Sequence, residues 1–456
     1  MNDYSDLMKK QRDFFASGKT KDYRYRITAL KALEESMKHY EGEINSALKA
    51  DLNKAAMETY ISEYGISLQH ITHSMHNLKK WMRPKRRAAG INTFPGIAYE
   101  MPEPYGIALI MSPWNYPIQL TMCALIGAVS AGNCCVVKPS AYTPASSAVI
   151  AKIIERAFPR EYVAVVLGGR AENQQLLEQR FDYIFFTGSV GVGKQVMENA
   201  AKNLTPVTLE LGGKSPCIVT EDADVEKAAK SIAFGKLLNS GQTCVAPDYV
   251  LVDRALMGRF CTEVSVQFRK MIGDALMNED YPRIVNEKHF ERISALFEGA
   301  TVFSGGRLDR DRLRIEPTVL VDVTETSPVM EEEIFGPLLP VIPYDTLDEA
   351  ENFVLNGEKP LALYLFTSSR KTEKRVLNKL SFGGGCINDT IVHLMTSGLG
   401  FGGVGFSGMG RYHGIHSFET FSHIKGIYRK SALIDLPLRY HPYRQSYYSL
   451  ARKLMK

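Results

Sequence analysis

A chain of 456 residues exceeds one ordinary core and predicts two or three domains. With 45% apolar and 23% charged residues, its composition is that of a folded protein and excludes disordered and fibrous classes. The formal charge of +5, from 55 basic and 50 acidic residues, is compatible with anionic ligands such as a dinucleotide. No concentrated basic tract accompanies aromatics, which argues against a nucleic-acid partner.

In chain order, residues 1 to about 80 read as helices. Ile27, Leu30, Leu33 and Met37 recur at helical spacing, and a second stretch continues through Met57, Ile61, Tyr64 and Leu68. Pro95 and Pro102 bracket a short extended arm at Gly96–Glu100. Tyr105–Met111 is an apolar strand ending in Ser112-Pro113-Trp114-Asn115-Tyr116-Pro117, and Cys134–Lys138 is a second strand. Thr143 N-caps a helix with Pro144 at its first position and Val149, Ile150, Ile153, Ile154 and Ala157 inward. Val163–Leu167 and Tyr183–Phe186 are further strands. Short apolar strands alternating with amphipathic helices predict a parallel sheet covered on both faces, with ligands at the carboxyl ends of its strands.

After Glu210 the pattern restarts. Asp224–Asn239 is helical, Val250–Val252, Thr318–Val321 and Leu361–Phe366 are strands, and Thr346 caps the helix that begins at Leu347. The segment Gly383–Gly414 is rich in glycine and reads as mostly loop.

The seven cysteines are odd in number and widely scattered, which fits a reducing compartment rather than a disulfide framework. The N-terminus opens acidic and polar. Leu120–Ala131, the most apolar segment, is about half the length needed to span a bilayer. The expected location is cytoplasmic, with no membrane span.

Three features carry chemistry. Phe185–Lys194 forms a strand, a glycine turn at Gly188, Gly191 and Gly193, and then a helix through Val196, Met197, Ala200 and Leu204. Such a helix N-terminus presents free N–H groups to a pyrophosphate, though the spacing is neither G-x-G-x-x-G nor a P-loop. Lys138 ends a neighbouring strand, as a donor to ribose or phosphate or as a solvated lysine. Asn239–Pro247 places Cys244 in a turn of small residues after Glu210 has ended an earlier apolar run. A thiolate nucleophile and a carboxylate that activates water suffice for covalent redox chemistry on a carbonyl. By residue type alone, Cys244 reads rather as a buried packing residue, Glu210 as a strand-end carboxylate and Asn115 as a turn cap.

The joint order of Ser112–Pro117, Lys138-Pro139-Ser140, Phe186–Ser189, Leu209–Pro216, Gly241–Cys244, Glu331–Pro337 and Gly402–Gly405 resembles the NAD(P)-dependent aldehyde dehydrogenase superfamily over essentially the whole chain. Gly408–Gly414 and Ser417–His423 are similar to its class 3 branch, which handles fatty and aromatic aldehydes. The resemblance implies an α/β aldehyde dehydrogenase-like fold: a Rossmann-like dinucleotide domain (1–84 and 102–209), an α/β catalytic domain (210–417), a small β bridging element (85–101 and 418–432) that exchanges between subunits of a homodimer, and a C-terminal tail (433–456).

It further implies oxidation of an aldehyde to an acid. Cys244 attacks the carbonyl, Asn115 and the Cys244 N–H hold the oxyanion, and Glu210 activates the water that hydrolyses the thioester. Lys138, Ser140, Ala141, Gly188, Ser189, Gly191, Gly193, Glu333 and Phe335 are the implied contacts to NAD or NADP. Trp114 lines the entrance or stacks in the core, and Tyr116, Met122 and the loop from Ile391 to Met395 are expected to shape an apolar tunnel. Many relatives carry glutamate two residues beyond the proline of Lys138-Pro139, where it repels a 2′-phosphate. Ala141 stands there, so NADP use alongside NAD is expected.

An acylating or phosphorylating dehydrogenase, or a semialdehyde reductase, shares the thioester, but Glu210 argues for water as acceptor. A non-catalytic protein on the same fold would have lost Cys244 or Glu210. His413, His416 and His423 have no acidic or thiol partner at ligand spacing, so no metal site is expected. The basic, mildly amphipathic stretch from Arg444 to Lys456 is expected at most to touch an anionic membrane weakly.

Overall fold

The computed structural model describes residues 4–90, 93–434 and 440–454. Residues 91 and 92 of the expected arm, and 435–439, 455 and 456 of the expected tail, lie outside the described residues.

Two large sheets build most of the molecule. The first has the strand order Gly408–Met409, Val207–Glu210, Tyr183–Thr187, Ile107–Met111, Cys134–Lys138, Val163–Val165. All its pairings are parallel except that of Gly408–Met409. The chain enters at Ile107–Met111, builds outward to one side, and then returns to build the other side. The crevice therefore opens at the carboxyl ends of Ile107–Met111 and Tyr183–Thr187, where neighbouring connections leave in opposite directions.

The second sheet runs Thr301–Ser304, Thr318–Val321, Leu338–Tyr344, Tyr249–Asp253, Pro216–Val219, Ala362–Phe366, Gly384–Ile387, with only its first strand antiparallel. Both cores are aliphatic runs at or near zero exposure, as sheets covered on both faces require. A third sheet joins Lys85–Arg87, Gly96–Pro104 and Ser422–Lys430, the last two paired over their full lengths. The three sheets fall where the resemblance implies the dinucleotide, catalytic and bridging parts.

The expected elements recur with instructive differences. Leu30, Leu33 and Met37 are buried on the helix Tyr23–His39. Met57 is 70% and Ile61 39% exposed, because Ala56–Thr59 gives way to a π-helical turn at Tyr60–Tyr64 that rotates Glu63 and Tyr64 inward. The helix after the glycine turn ends at Ala201 and buries Gly193, Val196 and Ala200. Met197 is solvent-facing, and Leu204 lies past the end in a left-handed conformation. Leu167 is exposed beyond a strand that stops at Val165.

The glycine-rich segment is more ordered than expected. Gly384–Ile387 is a strand, and Gly408–Met409 returns the chain to the first sheet before residue 417, the end of the span assigned to catalysis. Ile415–Thr420 is a helix, so the bridging strand begins at Ser422. The apolar segment at 120–131 is a wholly buried helix, Pro117–Ala131. Among the described residues no helix is long and apolar enough to cross a membrane.

Candidate active site

The turn that carries Cys244 is built by backbone conformation. Asn239, Ser240 and Gly241 lie consecutively in the left-handed region, with φ of 50°, 51° and 72°. A Cβ at Gly241 would sit 2.3 Å from the Gly336 carbonyl oxygen, so only glycine fits there. Gln242 staples the turn: its Nε2 donates to the carbonyls of Asn239 and Arg283, both at 3.0 Å, and its Oε1 accepts from the Val285 N–H at 3.0 Å. Burial, followed by the charges of Glu333 and Glu210, pushes the Cys244 thiol well up from its ordinary value.

Asn115 stands on the loop after Ile107–Met111 and is 3% exposed. Its Nδ2 donates to the Gln242 carbonyl at 3.0 Å, which brings it against the cysteine turn. One amide proton remains for a ligand in the cleft that Asn115 lines. Glu210 ends Val207–Glu210 and is 2% exposed, with neither carboxylate oxygen hydrogen-bonded. Burial holds its carboxyl well above the ordinary range. A buried carboxyl with no partner is costly, which makes it a functional candidate rather than a structural one.

These three residues line one cleft of about 910 Å³ together with Trp114, Gly188, Ser189, Gly191, Glu333 and Phe335. Gly188 opens the turn after Tyr183–Thr187, and its N–H donates to the Glu210 carbonyl at 3.0 Å. Ser189 N-caps the helix Val190–Ala201 without a side-chain bond, leaving that terminus available to an anion. A Cβ at Gly193 would strike Leu211 at 2.7 Å, whereas one at Gly191 would meet nothing within 4 Å and would stand in the cleft. Glu333 packs so closely on the backbone that a Cβ at Gly212 would lie 1.9 Å from its Oε2. Burial and the Asp248 charge raise the Glu333 carboxyl to about 8. Phe335, at φ 48°, meets the Trp114 ring edge-on at 5.3 Å.

Other expected positions lie elsewhere. Lys138 is 3% exposed and outside the cleft lining, its Nζ donating to the carbonyls of Pro139 (2.8 Å) and Gly168 (2.7 Å). Burial lowers it to about 8, with Glu172 opposing. Ser140 is half-buried and Ala141 exposed, both outside the lining. Three of the four residues expected in the substrate wall lie outside the lining of this cleft. Tyr116 is packed between Lys54 and Thr243, and its hydroxyl and that of Thr243 are 2.6 Å apart. Met122 is at zero exposure inside a buried helix, and Ile391 is 6% exposed; neither lines the cleft.

Leu120, Phe401, Phe406 and Tyr412 add to the apolar lining, the last three from the glycine-rich segment. Isolated aromatics among glycines were the available signal. Lys214 was also missed: its Nζ pairs with Asp248 at 2.5 Å and donates to the carbonyls of Val329 and Glu332 at 2.9 Å. The Asp248 carboxylate accepts the Ile334 N–H at 2.9 Å, so this pair pins the Glu333 segment to the second sheet. Among the described residues no group of three His, Cys, Asp or Glu is arranged to hold a metal ion.

A dinucleotide-type switch point opposed to a cysteine turn, in one cleft, defines a nicotinamide-dependent dehydrogenase that works through a thiol. Comparison with known proteins agrees. The aldehyde dehydrogenase family model matches residues 2–427. The 4,4′-diaponeurosporen-aldehyde dehydrogenase of Staphylococcus aureus is 46% identical over 434 residues, covering 94% of this chain and 95% of that one. Aldehyde dehydrogenase family 3 member B1 of Rattus norvegicus is 44% identical over 446 residues, 97% of this chain and 95% of its own.

Among solved structures, a substrate-bound state of Staphylococcus aureus AldH matches with a TM-score of 0.97 at 44% identity, covering all of both chains. Betaine aldehyde dehydrogenase of the same species, in complex with NAD+, matches at 0.84 and 26% identity over 95% of this chain and 88% of its own. The chain belongs to the aldehyde dehydrogenase family, in its class 3-like branch, and is an NAD(P)-dependent enzyme that oxidises aldehydes.

Proposed function

We propose that the chain oxidises medium- or long-chain aliphatic or aromatic aldehydes to carboxylic acids by hydrolysis of a Cys244 thioester. The observation that carries this reading is the shared cleft of Cys244, Asn115 and Glu210, with Glu210 unpartnered inside it. Cys244 adds to the carbonyl once its proton is lost. The free amide proton of Asn115 and the Cys244 N–H receive the charge that develops on oxygen. When bound, the dinucleotide supplies the acceptor for the hydride that the adduct loses as it becomes a thioester. Glu210, as carboxylate, then takes a proton from the water that attacks.

Gly188 to Gly193 would hold the pyrophosphate, Glu333 the nicotinamide ribose, and Phe335 would pack beside it. The open space at Gly191 and the free helix terminus fit that group. Lys138 would give its remaining proton to the adenosine ribose, and Ala141 leaves a 2′-phosphate unopposed, so NADP serves beside NAD. Apolar side chains at Trp114, Leu120, Phe401, Phe406 and Tyr412 support the substrate class. The bridging sheet, with Ile424 and Tyr428 exposed, is assigned to a homodimer, which sedimentation at graded concentrations tests. The described helix Gln445–Leu454 carries Arg452 and Lys453 in its last turn and supports weak contact with anionic vesicles, tested by pelleting.

Cys244→Ser should abolish oxidation while NAD+ binding persists, and a wild-type rate in that variant refutes the nucleophile assignment. A rate profile over aldehydes from two to sixteen carbons and benzaldehyde tests the substrate class. A maximum at two carbons counts against it.

A further inference from the structure

Lys54 and Glu63 are both at zero side-chain exposure and form an ion pair at 2.5 Å, within the helical N-terminal region. Lys54 follows Asn53, which ends the helix Glu41–Leu52 in a left-handed conformation. Glu63 is carried by the π-helical turn Tyr60–Tyr64, the only such turn among the described residues and a form enriched at functional sites. A buried ion pair is weak evidence for stability, because desolvation offsets most of the attraction, so its remaining contacts bear on what it does.

Those contacts all converge on the Asn115 loop. The second Glu63 oxygen accepts the N–H groups of Ile118 (2.9 Å) and Gln119 (3.1 Å), capping the helix Pro117–Ala131 immediately after Asn115. Lys54 Nζ donates to the Asn115 carbonyl at 2.9 Å and lies 3.9 Å from the Tyr116 ring centroid. Asn239, from the cysteine turn, supplies the second donor to that same carbonyl, at 2.9 Å. Its own N–H is accepted by Glu58 at 2.8 Å, one helical turn before Glu63. Both lone pairs of the Asn115 carbonyl are therefore taken, one by the N-terminal helices and one by the cysteine turn. That fixes the peptide plane from which the Asn115 side chain projects.

We propose that Lys54 and Glu63 are positioning residues for aldehyde oxidation: the buried pair locks the Asn115 peptide and so presets the side-chain amide beside Cys244. This rests on Asn115 as oxyanion donor. An oxyanion donor acts only if it is oriented before charge develops, and a displacement near 1 Å costs about 100-fold.

The test uses single-turnover NADH formation in the full-length enzyme. Removing one charge would leave the other unpaired and buried, so the main variant is Lys54→Met with Glu63→Gln. Acylation should slow about 10- to 100-fold, with the NAD+ dissociation constant within about twofold of wild type. In an Asn115→Ala background the same pair of changes should slow it less than about twofold further.

A folded variant with the wild-type acylation rate overturns the proposal, and so does an equal loss in both backgrounds. Glu63→Gln alone serves in the same cycle if the double change does not fold. Should that variant also lack a cooperative thermal transition, the pair is structural and the proposal falls. A wild-type rate in Asn115→Ala alone would instead refute the oxyanion reading on which it stands.

Discussion

Replacing Glu210 by glutamine separates the two halves of the reaction. Neither Glu210 oxygen has a protein partner, so the isosteric amide breaks no hydrogen bond or ion pair and the turn at Gly188 keeps its contact to the Glu210 backbone. The loss should therefore fall on catalysis. A positioned general base contributes about 100- to 10,000-fold, equivalent to about 3 to 5 kcal/mol on the barrier to deacylation. In the proposed mechanism acylation does not use this carboxylate. Rapid mixing with excess aldehyde should thus show a first turnover of NADH close to wild type, followed by a steady state slowed by at least about 100-fold.

Intact-mass measurement during that steady state should find the acyl group on Cys244. The pH dependence has a definite sign. Burial raises the folded Glu210 carboxyl well above its ordinary 4.5, so the carboxylate that activates water grows in as pH rises, and wild-type deacylation climbs with it. The stability linked to that raised value is fully present below 4.5 and is lost as pH rises through the folded value. Glutamine has no such titration, so the wild-type Tm should fall relative to the variant between acid and alkaline pH. An unchanged steady-state rate, or a variant with no acylated Cys244, would refute the assignment.

Two further substitutions address the cofactor. Ala141→Glu should restore repulsion of a 2′-phosphate and lower kcat/KM for NADP by about tenfold relative to NAD, an effect of about 1.4 kcal/mol kept small by solvent at an exposed position. An unchanged NADP-to-NAD ratio from initial rates would remove Ala141 from the specificity argument. Measured above pH 8, where the carboxylate predominates, Glu333→Gln should weaken NAD+ binding by about 10- to 100-fold, the range for a lost charged hydrogen bond. Glu333 titrates at about 8 rather than 4.5, so its contribution to stability is lost as pH rises across that interval. The glutamine variant should show a flatter Tm over the same range, and parallel curves would argue against the raised value.

The family-like motifs in the sequence nominated the residues that the structure gathers around one cleft. Cys244, Glu210, Asn115, Gly188 and Glu333 all stand at the ends of strands or in turns marked by glycine and proline, where short-range conformation limits the residue choices. The alternation of strands and helices likewise implied two parallel sheets, because residues buried on both faces must read as continuous apolar runs. Long-range packing determined the rest. Tyr116, packed on Lys54 and Thr243, and Met122, buried on the helix Pro117–Ala131, lie close to Asn115 in sequence but outside the cleft lining, while Phe401 and Tyr412 reach it from nearly three hundred residues on.

The return of Gly408–Met409 to the first sheet depends on an antiparallel pairing with Val207–Glu210, and no period in the glycine-rich segment encodes it. Nothing in the spacing of Lys54 and Glu63 marks them as a pair. Only the π-helical turn and the chain packed over it brought them together under Asn115. Sequence by itself determined the candidate groups and the turns and strand ends that carry them, because those conformations are local. Tertiary structure decided what surrounds and orients those groups, because hydrogen bonds and burial between distant segments follow from the packed chain and not from the spacing of its residues.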